Sequence, residues 1–250
     1  MLITVFNRPM THRRTPPAGP SGAAGYNRQP MLKPPPDVTP DIVKGDLTEE
    51  QLQAYLKGDA VAVDTETLGL VHIRDRLCLV QLYDRAGRAT LVQITRETLD
   101  PARPAASRSP RLKKLLEDPR VLKVFHFARF DVAALRHNLG IAVDPIYCTR
   151  TVSKLVRTYT DRHGLKDNLL ELMDVEMDKF ARHTDWSNPH LTAEQIRYAI
   201  SDVTLLLPLK DRLEDMLQRE GRKELAEQCF KVIPVMALLD LLGYEDLFEH

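Results

Sequence analysis

Apolar runs and the polar breaks between them divide the chain, from residue 46 onward, into short strands and helices. Thr48-x-x-Gln51 is a capping-box pattern that opens a short helix to about Lys57, where Gly58 stops it. Residues 60–63 are small or β-branched and predict a buried strand over 60–64. LCLVQLY predicts a second strand over 77–83, and a third follows over 89–94 after a turn at 84–87. Three strands so close in the chain predict antiparallel hairpins. A Pro/Ser/Arg-rich loop at 100–110 leads to a helix over 111–117, a strand over 121–127 and a helix over 129–139 that Gly140 ends. Beyond Ile146-Tyr147-Cys148 the pattern is helical from 149 to about 157 and again over 164–173. Thr192 and Gln195 form a second capping box, with Leu191 and Ile196 spaced as its hydrophobic staple. That helix is expected to run to about Glu220 with a kink at Pro208, and a last helix to cover 222–242. Strands first, then strands alternating with helices, predict an α/β fold with a mixed five- to six-stranded sheet flanked by helices.

The first 40 residues lack either period. They hold nine of the 17 prolines, including Pro34-Pro35-Pro36, and few large apolar residues. The expectation is a disordered or polyproline-like basic tail over 1–40 and a folded domain over 41–250. Arginine without much acid hints at a transit peptide, but the prolines and scarce serine speak against one. A solvated tail, or a translation start at Met31, fits better.

Composition narrows the function. At 250 residues and 43% hydrophobic, the chain can build one full-sized core. No apolar run reaches the roughly 18 residues a membrane span needs, so no membrane partner is expected. Cys78, Cys148 and Cys229 are scattered, without C-x-x-C spacing. That argues against a disulfide framework or a zinc site and suits a reducing cytoplasm. Net charge is zero, with five basic residues against one acidic in 1–40, and hence 30 against 34 in the rest. Proteins that grip long nucleic acid usually show an excess of Lys and Arg, which the folded part lacks.

The candidate chemistry lies in the acids. Strand periodicity places Asp64 and Glu66 on one face. Two buried carboxylates side by side repel, and a hard divalent cation is the usual remedy. Asp131 opens the helix after the strand that holds His126, and Tyr198 and Asp202 stand four apart on the capped helix, sharing a face. Taken singly, each has a plainer role: Asp131 can serve its helix dipole, His126 can be a satisfied core histidine, and Tyr198 can pack with its hydroxyl in water.

The order Asp-x-Glu, His-x₄-Asp, Tyr-x₃-Asp resembles the three motifs of DEDD-type 3′→5′ exonucleases of the tyrosine subclass. DRLCLVQL (75–82), KVFHFARFD (123–131) and YAISDV (198–203) are similar to the ribonuclease D group. TETLGL, CTRTVSKL, RTYTDRHGLK and LDLLGYEDLF resemble its short bacterial form, nano-RNase C. The likeness covers 46–250. It implies a ribonuclease H-like exonuclease fold without an HRDC domain. It also implies four acids, Asp64, Glu66, Asp131 and Asp202, holding two Mg²⁺ or Mn²⁺ ions about 3.5–4 Å apart. Asp64 would bridge them, Glu66 and Asp202 complete the first, and Asp131 support the second. Tyr198 would orient the attacking water. The resemblance further implies short single-stranded RNA or dinucleotide substrates and a homo-oligomer, an octameric ring of dimers.

Substrate contacts are expected from Leu70 or Leu68, one of which would wedge between bases unless it packs in its own core, and from His126 near the ribose or scissile phosphate. RTYTDRHGLK places Arg157, Arg162, His163 and Lys166 in a polar loop suited to a phosphate, or merely solvated. One departure stands out: Arg182 occupies the place where the family usually has glutamine, three residues before Asp185-Trp186.

Overall fold

The computed structural model describes residues 38–177, 184–244 and 247. Residues 1–37 of the proline-rich tail, and Arg182, therefore lie outside the described residues. The strands are β1 (Asp41–Lys44), β2 (Ala60–Thr67), β3 (Leu77–Asp84), β4 (Ala89–Gln93), β5 (Leu122–Phe125) and β6 (Ile146–Cys148). They form one six-stranded sheet in the order β1-β4-β3-β2-β5-β6. The β2–β3 and β3–β4 pairs are antiparallel; β1–β4, β2–β5 and β5–β6 are parallel. The sheet is thus mixed, with the two expected hairpins in its middle.

Helices cover both faces: α1 (Glu49–Tyr55), α2 (Pro110–Leu116), α3 (Ala128–Leu139), α4 (Thr149–Val156), α5 (Leu165–Met173), α6 (Ala193–Thr204), α7 (Leu206–Arg219) and α8 (Lys223–Leu242). Near-continuous burial along β2, β3 and β4 fits strands covered on both sides. One core cluster places β2, β3 and β5 side chains against α2 and α3; a second places Ala62, Val124 and Tyr147 against α4, α5 and α7. A third packs Leu79 and Leu91 against Trp186 and the α6 residues Ala199 and Ile200.

Both capping boxes form as read. Thr48 accepts from the Gln51 amide and Thr192 from the Gln195 amide, each glutamine returning a hydrogen bond to its cap. Three expectations need correction. The strand expected to end at Asp64 continues to Thr67, because residues 64–67 pair with β3. The long helix expected to kink at Pro208 instead breaks at Leu205 into α6 and α7. A proline has no N–H for the carbonyl four residues back and collides with it; here that carbonyl belongs to Thr204, the last residue of α6. Pro208 then sits in the first turn of α7, where no N–H is needed. Finally, β1 went unforeseen: four residues with three exposed carry almost no pattern.

Candidate active site

Asp64 and Glu66 leave the same face of β2 near the centre of the sheet. Opposite them runs α6, which lies against β2 and β3 and carries Tyr198 and Asp202. One oxygen each from Asp64, Glu66 and Asp202 lies within 4.8 Å of the others. Asp131, in the first turn of α3 and 4% exposed, lies near enough for its charge to act on Asp64 and Glu66. Thr65, between the two strand acids, donates its hydroxyl to Asp131 Oδ1 at 2.6 Å. Gln81, paired with Asp64 across the hairpin, sets its amide 3.4 Å from Asp64 Oδ2. The structure therefore gathers all four acids from three elements, and strand alternation, helix start and helix spacing each deliver one part.

The electrostatics of the group are those of like charges out of water. Burial, then the carboxylates of Asp131, Asp202 and Glu66, raise Asp64 well above the usual carboxylate range. Burial and Asp202 push Glu66 up to about 8. Burial pushes Asp131 up to about 7 against the opposing pull of the Thr65 hydroxyl. Tyr198 is raised too, by burial and by Asp202, Glu66 and Asp64, and it hydrogen-bonds with the Asp202 carboxylate. Its ring stands 6.1 Å from that of Trp186. Such a site relieves its repulsion either with protons or with a cation. An all-oxygen donor set with this spacing fits a hard divalent ion such as Mg²⁺ or Mn²⁺.

His126 follows β5, and its Nδ1 lies 2.9 Å from the Thr149 hydroxyl. Burial, aided by Arg150, lowers its pKa to about 4. The imidazole is thus neutral near pH 7, and its buried Nε2 has no protein partner. Leu68 and Leu70 lie beyond β2 and are exposed, Leu70 at 83%; the reading that they pack in the core is excluded. His163 meets the Ser153 hydroxyl through Nδ1 at 2.9 Å. Arg162 is held by Asp167, with Nε at 2.9 Å from its Oδ1. Lys166 is half-buried in the first turn of α5.

Arg157 does not belong with them. It is 0% exposed and donates to Ser153 Oγ, the Arg162 carbonyl, Asn168 Oδ1 and Glu171. It ties the end of α4 to α5 and is unavailable to a phosphate. Conversely, sequence reasoning missed Thr65, Gln81 and Phe127. The first two were findable from hairpin register once Asp64 was chosen. Phe127 has φ +73°, an uncommon conformation for a non-glycine residue. It is 45% exposed, and the Arg150 guanidinium lies 4.5 Å from its ring centroid. A phenylalanine gives no sequence signal of a positive φ.

Comparison with known proteins sharpens the class this fold and site define. The model of the 3′-5′ exonuclease family matches residues 42–218. The chain belongs to that family. Its sheet and helices superpose on Brucella melitensis NrnC with a TM-score of 0.77 at 45% identity, covering 85% of this chain and 99% of that one. Structures of that protein with bound Mg²⁺ and bound to pGG match at 44% and 45% identity. Ribonuclease D of Gluconacetobacter diazotrophicus is 35% identical over 162 residues, 65% of this chain and 39% of that protein. This chain spans about two fifths of the length of such ribonuclease D relatives. Escherichia coli RNase D, at 24% identity and a TM-score of 0.66, shares the fold over 80% of this chain and 50% of its own. The fold is the ribonuclease H-like exonuclease fold.

Proposed function

We propose that this chain is a metal-dependent 3′→5′ exoribonuclease that degrades very short RNAs, dinucleotides above all, to nucleoside 5′-monophosphates. The convergence of Asp64, Glu66 and Asp202 oxygens within 4.8 Å carries the reading. Asp64, Glu66 and Asp202 would hold one divalent ion, and Asp131 would support a second. When bound, such ions stabilise charge on the attacking and leaving oxygens of an in-line displacement.

The chain's own groups do the rest. The Tyr198 phenol stays protonated, so it positions water rather than deprotonating it. Water adds to the last phosphorus, and the bond to the 3′ oxygen of the preceding nucleotide breaks. His126, held neutral, offers a hydrogen bond to ribose or phosphate. Leu68 and Leu70 present apolar surface to the bases. Arg162 and His163, on the loop before α5, and Lys166, in its first turn, would meet a phosphate.

Short substrates are favoured by the absence of a cationic excess in the folded part and by the likeness to a protein seen with pGG. The proposal includes a homo-oligomer, an octameric ring of dimers, working in the cytoplasm. Exposed Leu225, Val232, Val235 and Leu242 along α8 offer surface for such contacts. A monomer peak in light scattering at micromolar concentration would overturn it. Among the described residues no helix is long and apolar enough to cross a membrane, and the three cysteines are free. The ribonuclease D relatives favour a second reading, trimming of longer RNA 3′ ends, an alternative that extends to an exonuclease also acting on DNA.

One experiment separates the two. Purified protein and Mg²⁺ are incubated with 5′-labelled RNAs of two to about ten nucleotides, beside Asp64→Ala. Rapid loss of the dinucleotide with longer RNAs nearly untouched supports the first reading. Stepwise shortening of all lengths supports the second, and activity retained by the variant removes both.

A further inference from the structure

Away from the carboxylates, a cavity of about 420 Å³ opens between the sheet edge and the last two helices. That volume is within the range of small-ligand sites. Leu122, at the start of β5, lines it and pairs with Ala60. Asp64 and Glu66 lie four and six residues further along β2. At a strand rise of roughly 3.3 Å per residue, the cavity and the acidic group are on the order of 13–20 Å apart, at opposite ends of the strand.

Several features of the cavity ask for a ligand. Tyr147 is 3% exposed, and its hydroxyl has no partner; a buried polar group left so is destabilising until something answers it. Tyr147 and Phe230 form a tilted aromatic pair, 4.9 Å between centroids, that offers a wall to a planar ring. Lys210 holds its ammonium 5.1 Å from the Tyr147 centroid, with its side chain 17% exposed. The nearest carboxylate, Asp211, is 3.9 Å away and already accepts both Arg85 nitrogens. Lys231 lines the same space, whereas Glu214 is matched by Lys223 at 2.8 Å. Glu227, also in the lining, can accept from the amino and imino hydrogens of a base.

We propose that this cavity is a second, separate binding site for a small planar aromatic bearing a phosphate, a purine nucleoside 5′-monophosphate. The ring lies against Tyr147 and Phe230, the phosphate pairs with Lys210 and Lys231, and the Tyr147 hydroxyl donates to a ligand oxygen. This assignment stands whether or not the acidic cluster cuts RNA.

The test is calorimetric titration of GMP into the full chain in EDTA, which strips metal from the acidic cluster. Saturable binding of one GMP per chain is expected. Lys210→Met should weaken it about tenfold and Tyr147→Phe roughly fivefold, the size of a charge-assisted and of an ordinary hydrogen bond. Both substitutions keep the bulk of the side chain, and thermal melts check that each variant folds. Guanosine and inorganic phosphate should each bind more weakly than GMP. Absence of binding at millimolar GMP overturns the assignment. So does binding that both variants leave unchanged, or a crystal soaked in GMP that shows only water at the Tyr147 hydroxyl.

Discussion

Two of the regions that bury charge among the described residues do so in opposite ways. Around Arg157 a guanidinium at 0% exposure meets four acceptors from Ser153, Arg162, Asn168 and Glu171, so its charge is answered within the chain. Around Asp64 the neighbours are Glu66, Asp131 and Asp202, all of the same sign, and Gln81, Thr65 and Tyr198 oppose them with dipoles rather than charges. A buried charge that is matched holds structure together; a buried set that repels holds a place for something else. The first region joins α4 to α5. The second strains the free protein and gains when a cation arrives.

The contrast can be broken from either side. The largest effect should follow Asp64→Asn, which removes one negative charge at constant shape. Exonuclease activity should fall by about 10³-fold while the melting temperature of metal-free protein holds or rises; a drop in both would mean that Asp64 is structural. Next, Tyr198→Phe should lower kcat about 100-fold with little change in KM, as expected for a group that positions water. An unchanged kcat would return Tyr198 to a packing role. Arg157→Ala should act in the reverse sense, destabilising the fold by roughly 2–3 kcal/mol through stranded acceptors. Activity per folded molecule should then be largely preserved, and urea denaturation followed beside turnover checks both.

The smallest and most telling effect concerns pH. Glu66 and Asp131 have folded pKa values of about 8 and about 7, above their ordinary 4.5 and 3.8. Between those limits the folded state binds more protons than the unfolded one, so stability falls as pH rises. Metal-free protein in EDTA should therefore melt lower at pH 8 than at pH 5, and Mg²⁺ should raise the melting temperature more at pH 8. Equal stabilisation at the two values would mean that the cation does not replace those protons.

The two regions also differed in how much the sequence disclosed. The acidic site was legible because regular periods place it: alternation puts Asp64 with Glu66, a helix start sets Asp131, and four-residue spacing sets Tyr198 with Asp202. Those rules are local, and the capping box at Thr192 fixed the register of the last pair. Arg157 was misread because RTYTDRHGLK has the composition of a surface loop. Its burial depends on Asn168 and Glu171, which α5 brings back across the end of α4. The break at Leu205 was half-seen: Pro208 marked a disturbance, but its cost fell on the carbonyl of Thr204, one turn earlier. Pro234, by contrast, lies within α8, which runs unbroken from Lys223 to Leu242. A proline within a helical pattern thus did not by itself decide whether the helix broke.

That break has a consequence for how the molecule can vary over time. With a capping box at one end and the break at Leu205 at the other, α6 is a short rod of 12 residues, seated on Leu79, Leu91 and Trp186. Its continuation, α7, rests mainly on a different set that includes Val152 and Leu169, and α6 joins that set only at its end, through Val203. Substitutions at Leu209, Leu213 or Leu217 can therefore alter how α7 beds down without dragging Tyr198 along a single rigid axis. The rod that carries Tyr198 and the longer helix behind it thus share a joint at Val203 and Leu205 rather than one axis.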